Sequence, residues 1–264
     1  MASAEPAFAR LTWRGQPLRI EYQWVGDADS RIAPLVFLHE GLGSLAMWKD
    51  FPARLCAGKG LRGMVFSRYG YGQSTPKPPD EHWQPDFMHA QAFEVLPLLF
   101  EALHIETPWL FGHSDGGSIA LLYAARFAVS GVIAVAPHIF VEDCSISSIA
   151  AAREAYDSTD LRARLARYHL DPDSAFRGWN DAWLNPAFRD WNIEAELDTI
   201  RAPVLAAQGL DDEYGTLAQI RGIQRRLPKT RLLMMEKCAH SPHRDQPDFL
   251  IREAVRFIFD QSIA

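Results

Sequence analysis

Pro108-Trp109-Leu110-Phe111, then Gly112-His113-Ser114-Asp115-Gly116, then Gly117-Ser118-Ile119-Ala120-Leu121-Leu122-Tyr123-Ala124-Ala125-Arg126 is the stretch that decides the fold. The first part reads as a short buried strand and the last as a helix. Between them stands G-x-S-x-G, the pattern of a nucleophile elbow. The reason is steric. A turn this sharp holds its central residue in a strained backbone conformation, so only small residues fit two positions before and two after it. Ser114 is then presented at the tip, above the positive end of the following helix.

Outward from this turn, the apolar residues fall in continuous runs: Pro34 to Leu38, Gly63 to Phe66, Trp109 to Phe111, Val132 to Ala136, Val204 to Ala207 and Leu232 to Met235. Such runs suit strands covered on both faces by helices. Helix-length patterns lie between them, at Ala90 to Leu103, Gly116 to Phe127, Thr216 to Leu227 and Pro247 to Phe259. An earlier stretch, Leu18 to Val25, alternates apolar and polar residues, as a half-exposed antiparallel strand does. The expected fold class is therefore α/β, a mostly parallel twisted sheet flanked by helices. Ligands on such sheets bind beyond the carboxyl ends of the strands.

One region breaks the alternation. From about Pro137 to about Asp198 the pattern is helical, and it is rich in rings: Tyr156, Tyr168, Phe176, Trp179, Trp183, Phe188 and Trp191. The expected division is a core of residues 1–136 and 198–264 with a helical cap, 137–197, inserted after the sixth strand. The rings serve either as the insert's own core or, for a few, as the lining of an acyl pocket.

A serine hydroxyl needs a base to take its proton. His240, in Glu236-Lys237-Cys238-Ala239-His240-Ser241-Pro242, follows the last apolar strand and so reaches the strand-end face. His243 lies beyond Pro242, where a helix begins, and the elbow turns His113 away from the serine. His82, His89, His104 and His169 suit surface or cap roles. The base needs an acid to fix its tautomer. Asp212 is preferred, after the strand Val204 to Gln208 and the turn at Gly209. Spacing alone does not separate it from Asp211 and Glu213, and Glu142 and Asp143 are a second source. Two N–H donors are expected for an oxyanion: Asp115 at the helix start, and Gly41 or Leu42 in His39-Glu40-Gly41-Leu42-Gly43-Ser44. The Asp115 carboxylate has two placements open. It turns away to accept backbone hydrogen bonds at the helix start, or it faces the pocket and binds a cationic group such as an amine.

The whole chain sets outer bounds. At 264 residues, 48% hydrophobic and 23% charged, it has the make-up of an ordinary globular enzyme. A net charge of −6 argues against a nucleic-acid partner. No apolar stretch approaches the roughly 18 residues of a membrane span, and Met1 to Arg10 lacks the apolar region of a signal peptide. Cys56, Cys144 and Cys238 have neither metal-ligand spacing nor the number for a disulfide framework. Free thiols in a reducing cytoplasm, no metal and no cofactor are the expectation. The expected partner is a small ester-like substrate, and the oligomeric state is left open.

These motifs together resemble the α/β-hydrolase superfamily nearly end to end. The resemblance rests on Leu38-His39-Glu40-Gly41, Ser67-Arg68-Tyr69-Gly70-Tyr71-Gly72-Gln73-Ser74, the elbow, Gly209-Leu210-Asp211-Asp212 and Lys237-Cys238-Ala239-His240. The last two look much like their counterparts in meta-cleavage-product hydrolases, which supports Asp212. Two positions depart from the pattern. Glu40 stands where the family usually has glycine, and Ser67 replaces the usual Asp, a change bearing on loop anchoring. Ser114 argues against the haloalkane dehalogenases and epoxide hydrolases, which use aspartate there. The resemblance implies a serine hydrolase of a small carboxylic ester or thioester with a Ser-Asp-His triad. The alternatives are a carbon–carbon hydrolase of a vinylogous diketone and a hydrolase-fold receptor with little turnover.

Overall fold

The computed structural model describes residues 5–262; residues 1–4 and 263–264, at the two ends of the expected core, lie outside the described residues. Eight strands form one sheet: β1 (Ala7–Trp13), β2 (Gln16–Gly26), β3 (Leu35–Leu38), β4 (Arg62–Phe66), β5 (Trp109–His113), β6 (Gly131–Val135), β7 (Val204–Gly209) and β8 (Arg231–Met235). Their order is β1-β2-β4-β3-β5-β6-β7-β8. β1 and β2 pair antiparallel, as do β2 and β4, and every later pairing is parallel. The apolar runs are continuous because both sheet faces are covered. Leu110, Val132, Ala134, Val204 and Ala206 face one apolar core, while Trp109, Phe111, Ile133, Val135, Leu205 and Ala207 face the other.

Two elements differ from the sequence expectation. β1 is not among the runs that the pattern marks. The helix expected over Ala90 to Leu103 starts at Phe87 and winds as a π-helix over Gln91–Val95 before Leu96–Ala102. Pro97 has no N–H to close the ordinary i→i−4 bond, which favours the wider turn just before it.

The register sets the site. Leu38 at the end of β3 pairs with Gly112 of β5, and His113 pairs with Val135 of β6, so three strand ends emerge side by side. Further along, Gly209 of β7 pairs with Met235 of β8. The two loops that follow stay together, with the Asp211 N–H donating to the Cys238 carbonyl at 3.0 Å. Gly209 permits this approach, because a Cβ there would lie 2.0 Å from that same oxygen.

Between β6 and β7 the chain is helical, with Asp143–Ser158, Leu161–Leu165, Pro172–Trp183 and Glu194–Leu197. Pro172–Trp183 starts where it does because the Asp171 carboxylate accepts the Ser174 N–H at 2.9 Å and Pro172 suits the first turn. Its buried face, with Phe176, Trp179 and Trp183 at helical spacing, looks down on the strand ends. Asn180 and Arg153 tie it to Asp143–Ser158: the Asn180 amide donates to the Ile149 carbonyl at 2.9 Å and its oxygen accepts from Arg153 Nε at 2.6 Å.

Candidate active site

Ser114 has φ 53° and ψ −123°, a backbone conformation that side chains rarely adopt. The neighbourhood enforces it. A Cβ on Gly112 would lie 2.2 Å from the Gly116 carbonyl oxygen, and one on Gly116 would lie 2.1 Å from the Leu38 oxygen. The Ser114 N–H donates to the Val135 carbonyl at 2.9 Å, which fixes the turn against the end of β6. The hydroxyl is thereby held over the amino end of the helix Asp115–Arg126.

The sequence-predicted base and acid meet it there. Ser114 Oγ–H donates to His240 Nε2 at 2.9 Å, and His240 Nδ1–H donates to Asp212 Oδ1 at 2.8 Å. Asp212 Oδ1 also accepts the N–H groups of Tyr214 (2.9 Å) and Gly215 (3.3 Å). Burial alone pushes this carboxyl up, but the hydrogen bond and charge of His240, with the Tyr214 N–H, hold it below the usual carboxylate range. The rival carboxylates are elsewhere. Asp211 is exposed, and the Glu213 carboxylate accepts the His240 backbone N–H at 3.2 Å, not its ring. Glu142 is committed to Thr216 and Gln219, and Asp143 pairs with Arg189.

Gly41, Leu42 and Asp115 have N–H groups that make no hydrogen bond among the described residues. The loop carrying Gly41 and Leu42 is braced from three sides. His39 Nδ1–H donates to the Glu40 carbonyl (2.7 Å), Arg68 Nη2 donates to the same oxygen (2.8 Å), and His169 Nε2–H donates to the Leu42 carbonyl (3.2 Å). His169 reaches in from the helical insert and is buried, which lowers its pKa to about 4. It is therefore neutral, with Nδ1 accepting the Gly72 N–H. Of the surface or cap roles expected for it, its place is in the insert, away from the surface. Ser67 anchors the same region, taking the Leu45 N–H at 2.9 Å and donating to Glu21 at 2.6 Å.

Three side chains near the site have roles that the sequence does not reveal. His113 turns from Ser114, as expected, yet its Nε2–H donates to the His240 backbone carbonyl at 2.7 Å and so holds the histidine loop. His138 packs edge-on against Trp183 with ring centroids 5.0 Å apart, and burial lowers its pKa to about 3. Glu40, in the place of a glycine, receives Arg244 at 3.2 Å. Burial would raise its pKa, but His113, His243 and Arg244 outweigh this and keep it ionised.

Asp115 corrects one expectation. Its carboxylate is 1% exposed, and its partner is not a backbone group but the Trp183 indole, whose Nε1–H donates to Oδ1 at 3.1 Å. Oδ2 has no hydrogen-bond partner. Burial raises this carboxyl from 3.8 to about 6, against the lowering effect of Arg68 and the Trp183 bond. Between those two values the folded chain binds more protons than the unfolded chain, so stability falls as pH rises through that window. The cost at pH 8 is about 3 kcal/mol. The stability gained by Asp115→Asn should therefore grow from pH 4 to pH 8 by roughly that amount, as read from denaturant unfolding of both proteins. A gain independent of pH would show that the carboxylate is not desolvated.

Ser114, His240, Asp115 and Gly41 border a cavity of about 320 Å³, closed on its apolar side by Met47, Ile149, Leu161, Leu165, Trp179 and Trp183. Among the described residues, no group of three or more His, Cys, Asp or Glu is placed to hold a metal ion, and no helix is long and apolar enough to cross a membrane.

A fold of this topology, with a serine elbow, histidine and carboxylate at the strand ends, is a hydrolase scaffold. The chain belongs to the Alpha/beta hydrolase family, whose sequence profile matches residues 35–253. It is 24% identical over 233 residues to a proline iminopeptidase of Lactiplantibacillus plantarum, covering 72% of this chain and 80% of that protein. Among solved structures it resembles a thermophilic esterase from Thermogutta terrifontis, with TM-score 0.75 and 16% identity over 98% of this chain and 99% of that one. It also resembles the meta-cleavage product hydrolase of Pseudomonas fluorescens IP01, with TM-score 0.73 and 18% identity over 96% and 97% of the two chains. These structural likenesses show the fold.

Proposed function

We propose that the protein hydrolyses a small carboxylic ester or thioester through an acyl-enzyme on Ser114. The observation that carries this reading is the unbroken chain of hydrogen bonds from Ser114 Oγ through His240 to Asp212, at 2.9 and 2.8 Å. Ser114 Oγ attacks the acyl carbon while His240 Nε2 takes its proton. The oxyanion that forms is held by the Asp115 N–H and that of Gly41 or Leu42. His240 returns the proton to the departing alcohol or thiol, and water, activated by the same imidazole, releases the acid. Asp212 stays ionised throughout and stabilises the imidazolium.

A cavity of about 320 Å³ suits a small acyl group. Residues 137–197 act as a cap that sets its length. The free Cys56, Cys144 and Cys238 accord with the cytoplasmic setting of this reading. The name of the iminopeptidase relative favours a second reading, in which the same groups cleave an amide. Kinetics against a panel of esters, thioesters, amides and diketones, with Ser114→Ala as blank, tests both. Diketone cleavage alone would make the protein a carbon–carbon hydrolase, and binding without turnover would make it a receptor.

The cap tryptophans divide by place. Trp191 stacks on Phe188 at 5.3 Å and does not border the cavity, whereas Trp179 and Trp183 do. Trp191→Ala should cost roughly 3–5 kcal/mol of stability and leave the ratio of kcat/KM for long and short acyl esters unchanged. Trp179→Ala should move that ratio toward longer chains. A shift in melting temperature with no change of ratio for Trp179→Ala would place chain-length selection outside the cap.

A further inference from the structure

Acyl transfer leaves one buried charge without a use. The Asp115 side chain sits one residue from the nucleophile, and its own N–H is an oxyanion donor. An ionised carboxylate at that place opposes the negative charge that develops on the substrate. Trp183 occupies Oδ1, and Oδ2 is an unpartnered acceptor, although such buried atoms are almost always satisfied.

The rest of the cavity has the same sign. Among the described residues, three acidic ones line it, Glu40, Asp115 and Glu213, against one Arg or Lys, Arg244, which Glu40 already engages at 3.2 Å. Arg68 is buried and does not border the cavity; its charge acts on Asp115, its Nη2 donates to the Glu40 carbonyl, and its Nε and Nη1 have no hydrogen-bond partner. The missing element is thus a donor that carries positive charge and arrives with the substrate.

We propose that this cavity selects esters whose acyl part bears an ammonium group next to the carbonyl, bound by Asp115 Oδ2. The inference rests on the acyl-transfer reading above and names its substrate class, the aminoacyl esters. An ammonium here satisfies Oδ2 and cancels the repulsion between Asp115 and the oxyanion. It also withdraws electrons from the carbonyl that Ser114 attacks. The indoles of Trp179 and Trp183 border the same space and offer faces that attract a cation.

The test compares L-alanine ethyl ester with ethyl isobutyrate, in which a methyl replaces the ammonium, at neutral pH. The parent chain should favour the ammonium ester in kcat/KM on the order of 10-fold or more, and Asp115→Asn should remove that preference. Because Asp115 also belongs to the oxyanion site, the quantity read is the ratio of the two substrates within each protein. Calorimetry on Ser114→Ala gives a readout free of turnover. It should bind the ammonium ester on the order of 10-fold more tightly than its neutral counterpart. This measurement decides alone if Asp115→Asn does not fold. Equal binding of the two esters, or a preference that survives Asp115→Asn, overturns the proposal. Turnover of neutral esters without an ammonium advantage removes the subsite and leaves the serine hydrolase. An ammonium preference in binding, with no ester turned over by the parent chain, does the reverse.

Discussion

Ser114→Ala should lower kcat for every ester the protein cleaves by on the order of 10³-fold or more, because the members of such a constellation act as a unit. The hydroxyl is the group that His240 Nε2 faces at 2.9 Å, and the turn that presents it has no room for rearrangement. Alanine keeps the Cβ and the backbone, so the same φ of 53° is imposed on it at no new cost. The melting temperature should therefore stay close to that of the parent chain. A fluorophosphonate should label the parent at one site and the variant not at all, since the phosphorus must be attacked by an activated oxygen. Labelling that persists in Ser114→Ala would place the nucleophile on another residue and remove the basis of the proposed function.

The parts of this fold legible in the sequence are those where local chemistry and global packing agree. β3 to β7 stand out as apolar runs because each is covered on both faces, whereas β8 at the sheet edge is apolar yet keeps Met234 47% exposed. β1 escapes notice because its burial alternates. Ala9 and Leu11 are buried, while Phe8, an aromatic residue, is 41% exposed, so apolar character and burial disagree there. The elbow is legible since Gly112 and Gly116 are glycines for a steric reason that any strand–turn–helix of this kind repeats. Asp212 could be ranked above its neighbours only through a resemblance, because three consecutive carboxylates differ in direction and not in chemistry.

What remained hidden depends on contacts between distant segments. His113 and His138 are ordinary histidines until the sheet places one beneath the His240 carbonyl and the other against Trp183. His169 reads as a polar residue of the insert, and only the packing of that insert on the strand ends brings it to the Leu42 carbonyl. Asp115 is intermediate. Its position was legible and its two placements were open, and the indole of Trp183, far away in sequence, decided which oxygen was left free.

Asp212→Asn should be the most damaging of the three neighbouring substitutions, with kcat reduced on the order of 10⁴-fold, while Asp211→Asn and Glu213→Gln cost less than about 10-fold. The difference follows from what each carboxylate does. Asp212 Oδ1 accepts the His240 Nδ1–H together with the backbone N–H groups of Tyr214 and Gly215, which fixes the tautomer that leaves Nε2 free for the Ser114 proton. An asparagine carries no charge to stabilise the imidazolium. Turned with its amide toward Nδ1, it also imposes the tautomer in which Nε2 already holds a proton. Asp211 is exposed, and its backbone bond to Cys238 survives substitution. Glu213 accepts the His240 N–H, which a glutamine oxygen accepts as well. All three variants should retain cooperative unfolding, so that rates are compared on folded protein. A larger loss in Asp211→Asn would move the acid one residue back. Equally small losses in all three would mean that no carboxylate of this loop supports His240. Glu142, held by Thr216 and Gln219, is not free to replace it, so the proton relay itself would then be wrong.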